Sequence, residues 1–318
     1  MNLRTPVCDL FEIERPIFLA GMGGVAYAQL CAAVCEAGGY GTLGMAGATP
    51  MQIRNEMREV RRRTDRPFGV DLLAALPDQV TAAIDGIIEE GASSFIAGLG
   101  VPGPVIDRCH ESGLKVVSLC GKVSHALRAE AAGCDAVVAQ GTEAGGHTGS
   151  IAGLALIPQI VDAVDIPVLA AGSIVDGRGL VAALALGAQG VWIGTRFIAS
   201  REARAARVYK QRIVEAGSAD TIVSRGYSGK PMRVIRNPYI EELERHPERI
   251  QPFPQQIGFS LRAGVLQLGQ EEGVDPDRAC MPAGQGIGGV DEILTVQEIV
   301  DRIMNEARRT LETLYGRL

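Results

Sequence analysis

The chain is short of most of the features that announce a function. Only 4% of its 318 residues are aromatic, with a single tryptophan, against 47% apolar residues and 40 glycines. Small side chains must fill the interior, which suits helices packed closely on a sheet and argues against disorder. Positive charge is not in excess: the formal net charge is −6, so nothing in the balance points to a nucleic-acid partner. The seven cysteines contain no Cys-x-x-Cys pair. Cys31 and Cys35 share a helix face, but no histidine or second cysteine pair completes a zinc site, and free buried thiols in a reducing compartment are expected. Long hydrophobic runs are missing too. The most apolar window, 151–172, is interrupted by Gln159, Asp162 and Asp165. The N-terminal segment carries Arg4, Asp9, Glu12, Glu14 and Arg15, where a secretory leader would be apolar. A cytoplasmic protein with no membrane partner and a small-molecule substrate is the expectation. There is no Gly-x-Ser-x-Gly, no Gly-x-x-x-x-Gly-Lys-Ser/Thr and no His/Asp/Glu cluster at metal-ligand spacing. No metal is expected, and side chains alone leave little redox or transfer chemistry.

What the chain does have is a regular alternation. Short apolar runs at 16–20, 40–44, 68–72, 94–98, 115–120, 135–139, 167–172 and 190–195 read as eight buried strands, each followed by a helical segment. Among the helices, 27–36 is closed by Gly38-Gly39, and 50–63 has Thr49 as its cap and Pro50 in its first turn. Eight such units, with strands apolar on both faces, predict an α/β fold of the (β/α)8 TIM-barrel type. A doubly wound sheet would carry Gly-x-Gly-x-x-Gly after its first strand, and Gly21-Met22-Gly23-Gly24 does not fit that spacing. Residues 1–217 are therefore assigned to the barrel, with a helix over 202–216. From 218 to 290 the chain turns richer in Gly, Pro, Arg and Glu and is too long for a plain loop. It is read as an irregular, partly helical insertion over the barrel mouth. Residues 291–318 hold a terminal helix that returns to the barrel, with Thr295 as its cap.

In a TIM barrel the working face lies at the C-terminal ends of the strands. The densest stretch there is Gln140-Gly141-Thr142-Glu143-Ala144-Gly145-Gly146-His147-Thr148-Gly149. Glycines so closely spaced let backbone approach a ligand, and a histidine among them can exchange a proton near neutral pH. An ordinary glycine-rich loop with a solvated histidine is the plain alternative. Gly172-Ser173 and Gly194-Thr195 follow the last two strands, where such barrels hold a phosphate on backbone N–H groups and hydroxyls; tight turns are the alternative. Lys122 either offsets charge on a cofactor or opens a helix at the surface. Gln140 and Asp71 either bond a flat heterocycle or tie loops together. His246 is read as solvated, and His110 and His125 as surface or packed helix residues. A cofactor held by its phosphate and served by His147 is the economical reading.

At these residues the sequence resembles the nitronate monooxygenase family, also called 2-nitropropane dioxygenases, which are FMN-bound (β/α)8 barrels. Residues 16–24, ending in Gly21-Met22-Gly23-Gly24, resemble the family's opening strand and flavin-contacting turn. Glu36-Ala37-Gly38-Gly39-Tyr40-Gly41 resembles its Asn-Ala-Gly-Gly-type segment, and the stretch from Gln140 to His147 matches its hallmark motif. Ala170-Ala171-Gly172-Ser173-Ile174 and Ile193-Gly194-Thr195-Arg196-Phe197 resemble its phosphate-binding strand ends. Gly229-Lys230-Pro231 with Arg233, and Ala283-Gly284-Gln285-Gly286, resemble later segments near the flavin. The resemblance implies that Gly21, Met22 and Gly23 line the isoalloxazine, and that Lys122 and Gln140 contact the ring or ribityl chain. It places Gly145, Gly146 and Gln285 close by, and Gly172, Ser173, Gly194 and Thr195 on the phosphate. His147 is the implied catalytic acid/base, and oxidation of alkyl nitronates with O2 the leading activity. Asp71 stands where relatives often have Asn; a charged carboxylate beside a reduced flavin is unfavourable, so Asp71 either faces substrate or is protonated. NAD(P)H-dependent relatives that reduce enoyl thioesters or quinones share the Glu-x-Gly-Gly-His core and supply the alternative. A flavin-free barrel binding a phosphate ligand is a second one. An acidic, alanine-rich barrel of this kind is often at least a dimer, and a homodimer is the expected assembly.

Overall fold

The structure is a computed structural model that describes residues 3–267 and 269–317. Its main sheet has eight parallel strands: β1 (Ile17–Leu19), β2 (Gly41–Gly44), β3 (Phe68–Leu73), β4 (Ser94–Gly98), β5 (Lys115–Cys120), β6 (Ala136–Gln140), β7 (Val168–Ala171) and β8 (Gly190–Ile193). They lie in the order β1-β8-β7-β6-β5-β4-β3-β2. Phe18 bridges Tyr40 in parallel, and the Leu19 N–H donates to the Tyr40 carbonyl at 2.9 Å, so β1 meets β2 and the barrel closes. The (β/α)8 expectation holds.

Side chains leave a strand on alternate sides, and the core divides accordingly. In β1, Ile17 and Leu19 pack outward among the helices while Phe18 points inside. Phe18, Ile96, Val117, Val138, Leu169 and Trp192 fill the interior, each contributing about 1.5–3 kcal/mol by burial. The short helix Pro6–Leu10, absent from the sequence-based expectation, closes the N-terminal end of the barrel. Phe11 behind it packs edge-on against Phe18 and Tyr40 at ring-centroid distances of 5.2 and 5.0 Å.

The expected caps are present. Thr49 and Gln52 cap the helix Pro50–Arg61 reciprocally, and Thr295 and Glu298 do the same for Val296–Tyr315. That terminal helix lies so close to Gly177–Ala185 that a Cβ on Gly177 would sit 2.2 Å from the Ala307 nitrogen. The helix expected over 202–216 begins only at Arg207. Its first residues are used elsewhere: the Glu202 carboxylate accepts from the Val296 N–H at 3.1 Å, and Ala205 and Ala206 are buried in irregular backbone. Within 218–290 the strand Thr221–Ser224 pairs antiparallel with Met232–Ile235, and the helices Pro238–Arg245 and Gln255–Arg262 follow. The cysteines are free thiols, all buried except the half-buried Cys280. Among the described residues no helix is long and apolar enough to cross a membrane, and no group of His, Cys, Asp or Glu could hold a metal.

Candidate active site

The C-terminal ends of the strands open into one cavity of about 1210 Å³. Gly21, Met22 and Gly23 after β1, Asp71 on β3, Lys122 after β5 and Gln140 at the end of β6 line it. So do Gly145, Gly146, His147, Gly172, Ser173, Gly194 and Thr195. The barrel thus gathers onto one surface residues up to 174 positions apart in the chain (from Gly21 to Thr195). Gln285 is the exception. Its side chain is exposed and does not line the cavity; its neighbours Gly284 and Gly286 do, and its backbone N–H donates to the Glu143 carbonyl at 2.9 Å.

His147 is placed by a two-residue strand, Gly146–His147, which pairs antiparallel with Met232–Ile235. Gln140 donates from its side-chain nitrogen to the His147 carbonyl at 2.5 Å, fixing the loop from the barrel side. Arg233 fixes it from the other, donating to the Thr142 carbonyl at 3.2 and 3.0 Å. Arg233 therefore builds the loop rather than facing a ligand, whereas Lys230 and Pro231 line the cavity. The Glu143 carboxylate accepts from the Gly153 N–H at 3.0 Å, at the start of the helix Gly153–Val161, where negative charge is favourable.

Ser228 is the partner that sequence reasoning missed. Its hydroxyl, 4% exposed, lies 2.8 Å from His147 Nε2. The same Oγ donates to the Lys230 carbonyl at 3.2 Å and accepts from the Lys230 N–H at 3.3 Å. A hydroxyl has one proton. With that proton on Lys230, His147 Nε2–H donates to Ser228 and Nδ1 is the proton-accepting nitrogen; with it on Nε2, the shorter contact, Nδ1 carries the ring proton instead. Burial, helped by the nearby Lys230 charge, lowers the His147 pKa to about 4. The ring is neutral at neutral pH.

This has a consequence for stability. An unfolded histidine titrates near 6.5, above the folded value of about 4. Between the two the unfolded chain binds the extra proton, so stability is lost as pH falls. Between pH 7 and pH 5 this residue alone should cost the ligand-free protein about 2 kcal/mol. Urea unfolding at both pH values should show a correspondingly smaller loss in His147→Asn; equal losses would remove the residue from the acid response.

Asp71 is 6% exposed, and burial raises its pKa well above the usual carboxylate range. Burial therefore favours its protonated form over the charged one. It packs directly on Gly21, where any Cβ would fall 2.2 Å from the Asp71 Cβ. On the far side of the cavity Gly172 (φ +117°) and Ser173 (φ +53°) make a left-handed turn after β7, against which Gly286 packs. Thr195 begins a helical turn after β8, and its hydroxyl accepts from the Gly284 N–H at 3.0 Å while keeping its own proton to donate. The first N–H groups of a helix lack partners within it and suit an anion. His110 is a surface residue 3.0 Å from Asp135, and His246 lies between Glu242 and Glu248 at the surface. His125, expected in a surface or packed role, lines the cavity.

The sequence model of nitronate monooxygenase matches residues 4–306. The chain belongs to the nitronate monooxygenase family. As a member of it, the protein is an oxidoreductase. It is 34% identical to the probable nitronate monooxygenase of Staphylococcus saprophyticus, over 86% of this chain and 90% of that one. It is 33% identical to the (3aS,4S,5R,7aS)-5-hydroxy-7a-methyl-1-oxo-octahydro-1H-indene-4-carboxyl-CoA dehydrogenase of Mycobacterium tuberculosis, over 98% of each. The structure of FabK from Thermotoga maritima superimposes with a TM-score of 0.92 at 39% identity, covering 99% of both chains.

Proposed function

We propose that this family member is an FMN-dependent reductase of α,β-unsaturated acyl thioesters that draws its electrons from NAD(P)H. The observation that carries the reading is the size of the cavity. Its roughly 1210 Å³ exceeds the ~300–1,000 Å³ of a site for one small ligand, and so accommodates an extended substrate beside a cofactor. The wall contributed by Ile257, Leu261, Leu266 and Val274 is apolar, as an acyl chain requires. The likeness to a relative named for a carboxyl-CoA substrate supports a thioester.

FMN fits the residues present. Gly146 (φ +73°) lines the cavity with nothing within 4 Å of where a Cβ would stand, so a flat ring can approach bare backbone. Gly172, Ser173, Gly194 and Thr195 offer donors for the phosphate, Gly21, Met22 and Gly23 a wall for the ring, and Gln140 and Lys122 polar contacts. When bound, FMN supplies two-electron transfer between a donor and a substrate. The remaining work falls to the chain. Asp71, whose protonated form burial favours, can donate a hydrogen bond. Ser228, at Nε2, and Gln140, at the backbone carbonyl, hold His147 in position, which leaves Nδ1 without a protein partner among the described residues and open to a substrate. Negative charge brought by a ligand raises the pKa of His147, opposing burial and Lys230, so its protonation follows the charge of the site.

Nitronate oxidation is the second reading, favoured by the family match and by the name of the staphylococcal relative. An anaerobic visible spectrum separates the two. The purified protein should show a flavin band that NADH or NADPH bleaches and a 2-enoyl-CoA restores. Bleaching by an alkyl nitronate, with no response to either nicotinamide, would establish the second reading instead. A preparation with no flavin band even after adding FMN would sink both and leave a barrel that binds some other phosphate ligand.

A further inference from the structure

The cavity does not stop at His147. Its wall continues onto the helix Val123–Ala131, where the capping residue Lys122 and, on the helix, His125 and Arg128 line it together with Gly100, Val101 and Pro104 at the start of the helix Gly103–Glu111. A spacing of three places these side chains on one face of the helix, spread over about 9 Å at 1.5 Å per residue. His125 has its pKa lowered by burial and then by the charges of Arg128 and Lys122, which places the three groups within each other's field.

These cations are not spent on the protein itself. Lys122 and Arg128 form no ion pair among the described residues, and the Arg128 guanidinium donates from Nε to the Ser124 carbonyl of its own helix at 3.2 Å. Glu130, the acid on that helix, is engaged elsewhere, accepting from the Asp165 and Ile166 N–H groups at 2.7 and 3.2 Å. The only carboxyl side chain lining the cavity among the described residues is Asp71, whose charged form burial disfavours. In a chain of net charge −6, a wall of uncompensated cations running out of a ligand cavity selects for an anion.

We propose that Lys122, His125 and Arg128 form a strip that binds a phosphate monoester on the adenosine ribose of an extended ligand. Two ligands share that chemistry: coenzyme A, which would carry the acyl substrate, and NADPH, which would deliver electrons. The inference rests on the reductase reading, since a nitronate has no such group. The FMN phosphate is assigned to the strand ends after β7 and β8, so the strip serves a second molecule.

Calorimetric titration of the FMN-loaded protein tests this with two ligand pairs: coenzyme A against dephospho-coenzyme A, and NADP+ against NAD+, the oxidised nicotinamides, which carry the same ribose phosphate and cannot reduce the flavin. The wild type should prefer the phosphorylated member of one pair about tenfold, the scale of one charge-assisted contact. The pair that shows the preference identifies the source. Arg128→Glu should abolish that preference while leaving the affinity for the dephosphorylated member within about twofold, and Arg128→Lys should keep most of it. A wild type that binds both members of both pairs equally, or an Arg128→Glu variant that keeps the preference, overturns the strip alone. Failure of all four ligands to bind overturns the reductase reading with it.

Discussion

Replacing His147 by Asn should slow turnover by about 10²–10⁴-fold while the protein keeps its flavin band and fold. The asymmetry follows from the geometry. The ring of His147 touches Ser228 alone among hydrogen-bond partners in the described residues, whereas the position of the loop depends on its backbone, through Gln140 and the pairing with Met232. An asparagine keeps those backbone bonds and an amide near Ser228, but it cannot titrate. Ser228→Ala is the companion variant. It removes the hydrogen-bond partner of Nε2 and so frees the ring to rotate or change tautomer; a roughly tenfold fall in kcat with little change in KM is expected. Steady-state kinetics with the substrate identified by flavin bleaching measures both. Unchanged turnover in His147→Asn would show that the proton travels by another route.

Gly145→Val should be the most damaging single substitution in the motif. A Cβ at 145 would stand 2.7 Å from the Ala283 carbonyl carbon and the Gly284 nitrogen, which are backbone atoms and cannot rotate away. Relief requires the 283–286 segment to move off the Gly172–Ser173 turn, against which Gly286 is packed with only 2.8 Å between its Cβ position and the Ser173 Cα. The turn and the Gly284 bond to Thr195 would be lost together, and they belong to the end of the cavity assigned to phosphate. Overpacking of this kind costs typically ~1–3 kcal/mol in stability. FMN affinity should fall by at least about tenfold. Fluorescence titration of flavin-stripped protein with FMN measures this, and wild-type affinity would show that the segment yields without disturbing the site.

Much of this architecture was legible without coordinates, for identifiable reasons. Strands of a closed barrel are buried on both faces, so each announces itself as a short continuous apolar run, and all eight lie within a residue or two of their expected limits. Helix caps are local chemistry, and Thr49 and Thr295 act where their spacing to Gln52 and Glu298 places them. The thirteen expected site residues other than Gln285 line one cavity because the barrel topology itself brings strand C-termini together. Gln285 differs because its segment meets the site through backbone, with the Gln285 N–H on the Glu143 carbonyl and the side chain exposed.

The sequence by itself determined the fold, the family and the identity of the loop that carries His147, because those depend on periodicity, glycine placement and a contiguous motif. Tertiary structure alone decided what surrounds that histidine. Ser228 lies 81 residues away and reaches it only through the pairing of Gly146–His147 with Met232–Ile235. The raised pKa of Asp71 and the low pKa of His147 likewise belong to burial, which no run of letters records. The same holds for the Lys122–Arg128 face: its spacing is ordinary for a solvated helix, and only the neighbouring segment from Gly100 to Pro104 makes it a wall of the cavity. Local order follows from short-range sterics and patterning; charge state and partnership follow from which distant segments exclude water from one another.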